Sequence, residues 1–150
     1  MKIMIATDGS DFSKRAAEKA CEFFGERADI DYLVVSAYED APIPATEPFV
    51  MAPEYYQQIA EFTREQVQKH ADEAQEIIRS RLPNARVTVE ILRGKPATRI
   101  VEHAESWDAD IIVVGSHGRG FWGRLLGSVS NSVVNHASCS VLVVRGPMDE

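Results

Sequence analysis

The strongest constraint on the fold of this chain is a rhythm in its apolar residues. Short apolar runs alternate with longer stretches in which apolar residues return every three or four positions. The runs fall at residues 2–7, 30–37, 86–92, 110–115 and 140–144. In the third, Val87, Val89 and Ile91 alternate with Thr88 and Glu90, as in a strand with one wet face. Residues 111–114 and 141–144 are apolar throughout, the pattern of strands buried on both faces. Between the runs, Phe12, Ala16, Ala20 and Phe23/Phe24 predict a helix over 11–25, with Gly25 as its stop. Ala60, Val67, Ala71, Ala74 and Ile78 mark one face of a second helix, from Pro53 to about Leu82. A third helix is predicted over 95–107, beginning near Pro96. A fourth is predicted over 128–137 with Val129, Val133, Val134 and Ala137 inward. Strict β-α alternation predicts a single α/β domain spanning residues 1–150. Its sheet is open, parallel and five-stranded, with right-handed crossovers and helices on both faces.

Charge and composition exclude several classes of function. Sixteen Lys+Arg against 23 Asp+Glu leave a net charge of −7, and an acidic chain repels phosphate backbones, so no nucleic-acid partner is expected. The N-terminal apolar run is stopped by Asp8, too short for a signal peptide. No stretch approaches the ~18 apolar residues of a membrane span, so no membrane partner is expected either. Cys21 and Cys139 make no disulfide framework and read as two buried thiols, which places the protein in a reducing cytoplasm.

In an open parallel sheet, ligands sit beyond the carboxyl ends of the strands, where the strand order reverses. The most unusual strand ends are the first, Asp8-Gly9-Ser10, and the fourth, residues 115–128. The latter holds Gly115, Gly118, Gly120, Gly123 and Gly127, so backbone amides can approach a ligand with no Cβ in the way. Gly127-Ser128 then opens the fourth helix, with Ser128 expected as its cap, and a helix start favours an anion. Residues 111–148 contain no Asp or Glu at all; their charges are Arg119, Arg124 and Arg145. Buried strands exclude acids in any case, but the loop between them is under no such pressure. Glycines, a helix start and missing acids together point to a phosphate.

Competing motifs fail on context. Residues 118–123 match G-x-G-x-x-G, but the dinucleotide fingerprint closes a first strand and has an acid ~20 residues later. Here the motif follows the fourth strand, and no acid follows until Asp149. The P-loop pattern and the G-x-S-x-G nucleophile elbow are absent. His70, His103, His117 and His136 show no metal spacing, and no carboxylate pair suits acid–base work, so no catalytic residue and no protein-held metal are assigned. His70 and His103 read as polar positions on helices; His117, in the glycine loop, could touch a ligand but reads first as a backbone position. Asp8 reads both as an Asx-turn and as an acceptor for a base or ribose.

The chain resembles the universal stress protein family along nearly its whole length. The resemblance rests on Ala6-Thr7-Asp8-Gly9-Ser10, the proline-rich segment 38–53, Gly94-Lys95-Pro96-Ala97, Gly115-Ser116-His117-Gly118, Gly127-Ser128-Val129, and Cys139 through Val144. The family's ATP-binding branch is marked by G-x2-G-x9-G-[ST]; here eight residues, not nine, separate Gly118 from Gly127-Ser128. The resemblance implies the Rossmann-like sheet order 3-2-1-4-5 and a bound adenine nucleotide: ATP, or AMP or ADP. It implies Asp8 at the adenine end with Ala6 and Thr7 beside it, and Ala37 meeting adenine through its backbone. Gly115 would lie near the ribose and phosphates. Gly118, Gly127, Ser128 and Val129 would hold the phosphates through N–H groups, with Arg119 as an added charge. A magnesium or manganese ion would be held by the phosphates themselves. The last strand, residues 140–144, would pair with its twin in a homodimer.

The expected function is that of an ATP-binding regulatory protein of the stress response with an unidentified protein partner. Two alternatives stand beside it. One is a slow ATPase or phosphotransferase, with Arg119 or Arg124 stabilising charge. The other is a dimeric interaction module that senses AMP, cyclic AMP or no nucleotide.

Overall fold

A computed structural model of the chain describes residues 1–41, 52–118 and 125–146. Five strands alternate with four helices: β1 (Lys2–Ala6), α1 (Asp11–Phe24), β2 (Asp31–Tyr38), α2 (Pro53–Arg81), β3 (Arg86–Arg93), α3 (Pro96–Ser106), β4 (Ile111–Gly115), α4 (Ser128–His136) and β5 (Ser140–Val144). Each predicted element is present, with ends that agree or move by one residue. The strands form one parallel sheet in the order β3-β2-β1-β4-β5. The chain therefore winds outward from β1 to β3, returns to the far side of β1, and continues to β5. The reversal lies between β1 and β4.

The central strands are apolar at consecutive positions because each feeds two cores. Ile3 and Ile5, Tyr32 and Val34, and Val113 face α1 and α2, where they meet Ala16, Ala17, Ala20, Ala71, Ala74 and Ile78. Met4 and Ala6, Leu33 and Val35, and Ile112 and Val114 face the other way, toward Ile100, Ala104 and Val133 of α3 and α4. The period of two along a strand sends neighbours to opposite faces. The small residues of α1 and α2 let those helices lie close to the sheet. Gly25 ends α1 at φ 69°, donating its N–H to the Cys21 carbonyl at 3.0 Å.

Three expectations need correction. Phe23 is 62% exposed, because the buried stripe of α1 runs through Ser13, Ala16, Ala17, Ala20 and Cys21 and passes it by. Val134 is likewise exposed, since Val133 alone takes the inward position on that turn of α4. Cys21 is buried, but Cys139 is only half-buried beside β5.

Candidate functional site

The end of β1 is held by side chains that compete for their own backbone. Asp8 Oδ1 accepts from the Ser10 N–H at 3.0 Å, the expected Asx-turn. Ser10 caps α1, its Oγ accepting from the Ser13 N–H at 3.2 Å. Thr7 Oγ1 lies 3.0 Å from Ser13 Oγ, and the Thr7 carbonyl accepts from Ser36 Oγ at 2.6 Å. Between them Gly9 turns at φ 77°, a conformation that few other residues adopt. A Cβ there would also stand 2.4 Å from the His70 ring of α2. The helical polar position read for His70 thus packs beneath the β1–α1 turn.

The end of β4 is knotted to its surroundings through Ser116, which is 1% exposed. Its N–H donates to the Val144 carbonyl at 2.8 Å. Its own carbonyl accepts from the Gly127 N–H at 2.8 Å and from Ser130 Oγ at 2.9 Å. This brings the start of α4 back onto the strand it left. Gly127, not Ser128, occupies the cap position of α4, and no side chain caps the helix. The expected cap therefore shifts by one residue. The first-turn N–H groups of Ser128, Val129 and Ser130 have no intrahelical acceptor. They carry the positive end of the helix dipole, suited to an anion.

These ends converge on one cleft of about 380 Å³. Its lining includes Ala6, Thr7, Asp8, Ala37, Gly115, Gly118, Gly127, Ser128 and Val129. Nine of the ten residues singled out from the sequence are thus brought together. Arg119, the tenth, lies outside the described residues, as do Arg124 and residues 42–51 of the proline-rich segment. The cleft opens on the α3/α4 side of the sheet, which is why Ala6, Ala37 and Val114 present their side chains to it. A Cβ on Gly118 would stand 2.6 Å from Asp8 Oδ2, so the carboxylate and the glycine loop touch across the strand reversal.

Sequence reasoning missed Ser13, Pro96, Ile100 and Ser130, and undervalued the side chain of His117; all line the cleft. Pro96 and Ile100 form the first turns of α3, the third helix that starts at this end of the sheet. A signal for them was present: Pro96 comes soon after β3, and in a parallel sheet every strand brings its carboxyl end to the ligand side. A larger and shallower depression of about 630 Å³ runs along α2 between Arg64, Glu65, Lys69, Asp72 and Glu76. It is a solvated charged helix face. Among the described residues no group of three or more His, Cys, Asp or Glu is placed to hold a metal. No described helix is long and apolar enough to cross a membrane.

The comparisons with known proteins agree with this architecture. Residues 1–145 match the model of the universal stress protein family. Universal stress protein MJ0531 of Methanocaldococcus jannaschii is 36% identical over 153 residues, covering 99% of this chain and 84% of that one. Among solved structures, hypothetical protein MJ0577 shares the fold at a TM-score of 0.80 and 24% identity, covering 99% of this chain and 97% of its own. A universal stress protein solved in complex with cyclic AMP is 27% identical at a TM-score of 0.61, over 97% of this chain and 96% of that one. Two more distant structures carry AMP, in a protein from Arabidopsis thaliana, and dAMP, in one from Archaeoglobus fulgidus. They are 22% and 24% identical, with TM-scores of 0.63 and 0.60. They cover 100% and 96% of this chain, and 94% and 97% of their own. The chain belongs to the universal stress protein family.

Proposed function

We propose that the cleft between β1 and β4 binds an adenine nucleotide and that the protein is a nucleotide-dependent regulator. One observation carries the reading. The uncapped start of α4, the Gly118 loop and the Asp8 turn meet in a single cleft at the strand reversal. The cleft thus has a donor-rich end for phosphate and an acceptor, Asp8, for a ribose or base. Relatives of the same fold solved with cyclic AMP, AMP and dAMP support the choice of adenine. Ala6, Thr7 and Ala37 would flank the base. Gly115 would lie near the ribose, and Gly127, Ser128 and Val129 would donate to the phosphates. ATP is the fullest ligand for this arrangement, with magnesium or manganese carried on the phosphates and Arg119 adding charge. The free thiols Cys21 and Cys139 fit a cytoplasmic location.

Titration of the purified protein with ATP, AMP and cyclic AMP, with and without Mg²⁺, tests the proposal. At least one nucleotide binds. Gly118→Val loses at least about tenfold in affinity, because its side chain must displace the Asp8 carboxylate or the loop. If no nucleotide binds, the proposal fails. Release of phosphate at a steady rate, lost in Gly118→Val, would instead favour the ATPase reading.

A further inference from the structure

His117 is buried, 7% exposed, between the two chain segments that flank the cleft. Its Nδ1 lies 2.9 Å from Ser116 Oγ, and its Nε2 is hydrogen-bonded to the Leu125 carbonyl. A carbonyl only accepts, so Nε2 carries the hydrogen. In the neutral ring Nδ1 then accepts from the Ser116 hydroxyl. The ring of Phe12, on α1, lies 5.2 Å away at 57° and limits the tilt of the imidazole. Leu125 itself is 75% exposed, so burial of its side chain does not hold this segment in place. The bond from His117 does, together with the Gly127 N–H to Ser116 carbonyl bond at 2.8 Å two residues on.

We infer that His117 is a positioning residue of the cleft. Through Nε2–H it ties Leu125 to the end of β4, and so sets where the uncapped N–H groups of Ser128, Val129 and Ser130 point. Gly118, next to His117, and Gly127, two residues after Leu125, both line the cleft. The effect on ligand affinity rests on the nucleotide reading above; the tie itself does not.

Three measurements separate the outcomes. Nitrogen NMR of the ligand-free wild type at neutral pH finds His117 as the Nε2–H tautomer; a dominant Nδ1–H tautomer overturns the inference. His117→Gln keeps an amide donor in reach of Leu125, whereas His117→Phe keeps the ring against Phe12 and removes both hydrogen bonds. Amide hydrogen exchange at Gly127 and Asn131, whose N–H groups are bonded to the Ser116 and Gly127 carbonyls, accelerates roughly tenfold or more in the Phe variant and stays within about threefold in the Gln variant. Calorimetric titration with AMP follows the same order, with roughly a tenfold loss for Phe and about threefold for Gln. Unchanged exchange in His117→Phe overturns the inference, as does exchange that rises equally throughout the protein. If exchange follows the expected order but the wild type binds none of ATP, AMP and cyclic AMP, the tie stands and the nucleotide reading falls.

Discussion

Cys21 shows how a single side chain reports on its surroundings. It lies against the α1/α2 core, and burial pushes its thiol from 9.0 up to about 11, with the Arg81 guanidinium pulling the other way. The folded state therefore favours the neutral thiol. Its contribution is complete below pH 9 and is lost as the pH rises through 11. Denaturant unfolding between pH 8 and 11 should show an alkaline loss of about 1–2 kcal/mol that is flatter in Cys21→Ala. Tyr32, raised by burial from 10.0 to about 12, adds its own loss from about pH 10 upward, alike in the wild type and Cys21→Ala. The burial of Cys21 was legible in the sequence because alanines surround it at helical spacing. The half-burial of Cys139 was not, since it depends on how α4 hands the chain to β5. Asp8 was legible as an Asx-turn: the turn uses Oδ1, which leaves Oδ2 facing Gly118.

At the scale of elements, α2 is out of proportion to the strands it covers. Its 29 residues reach about 43 Å, against about 26 Å for the eight residues of β2. Its buried positions are Val67, Ala71, Ala74 and Ile78, all in the second half. The first half, from Pro53 to residue 66, buries no residue, and Tyr55 and Phe62 there are exposed. Helices gain most of their stability from packing, so this half should open more easily. Hydrogen exchange is expected to run roughly a hundredfold faster over 55–66 than over 70–81. Equal protection along the helix would show that something holds the first half as firmly as the sheet holds the second. Periodicity placed this helix to within a residue but could not divide it, because Ala60 continues the apolar face into a half that buries no residue. The cap of α4 was misjudged by one residue for a related reason. Gly127 and Ser128 both suit a cap, and the choice was made by the bond from Gly127 to Ser116, twelve residues before Ser128 in the chain.

At the scale of the whole molecule, the described residues form a sheet whose two edge strands, β3 and β5, differ in character. β3 carries Arg86, Thr88, Glu90 and Arg93 at exposed positions, with Arg86 and Arg93 paired to Asp31 and Asp40 at 2.5 Å. β5 reads Ser-Val-Leu-Val-Val and carries no charge. An apolar strand left at an edge invites pairing with another chain, and self-pairing across a two-fold axis satisfies it. Dimerisation through β5 is accordingly part of the proposal. Sedimentation should find a two-copy species, and Leu142→Lys should give a folded monomer, with circular dichroism checking that the fold survives. A dimer that persists in the variant would remove β5 from the interface. The sheet order was legible only through family resemblance. Apolar runs say that a strand is buried, but not which neighbours bury it.

This difference between the edges has a consequence for how many copies can join. A sheet adhesive at both ends would add subunits in a row without limit, as fibres do. Here the charged border on β3 leaves only one adhesive end. In the proposed dimer, growth through β5 would consume that end in both partners at the first encounter, and the assembly would terminate itself at a pair.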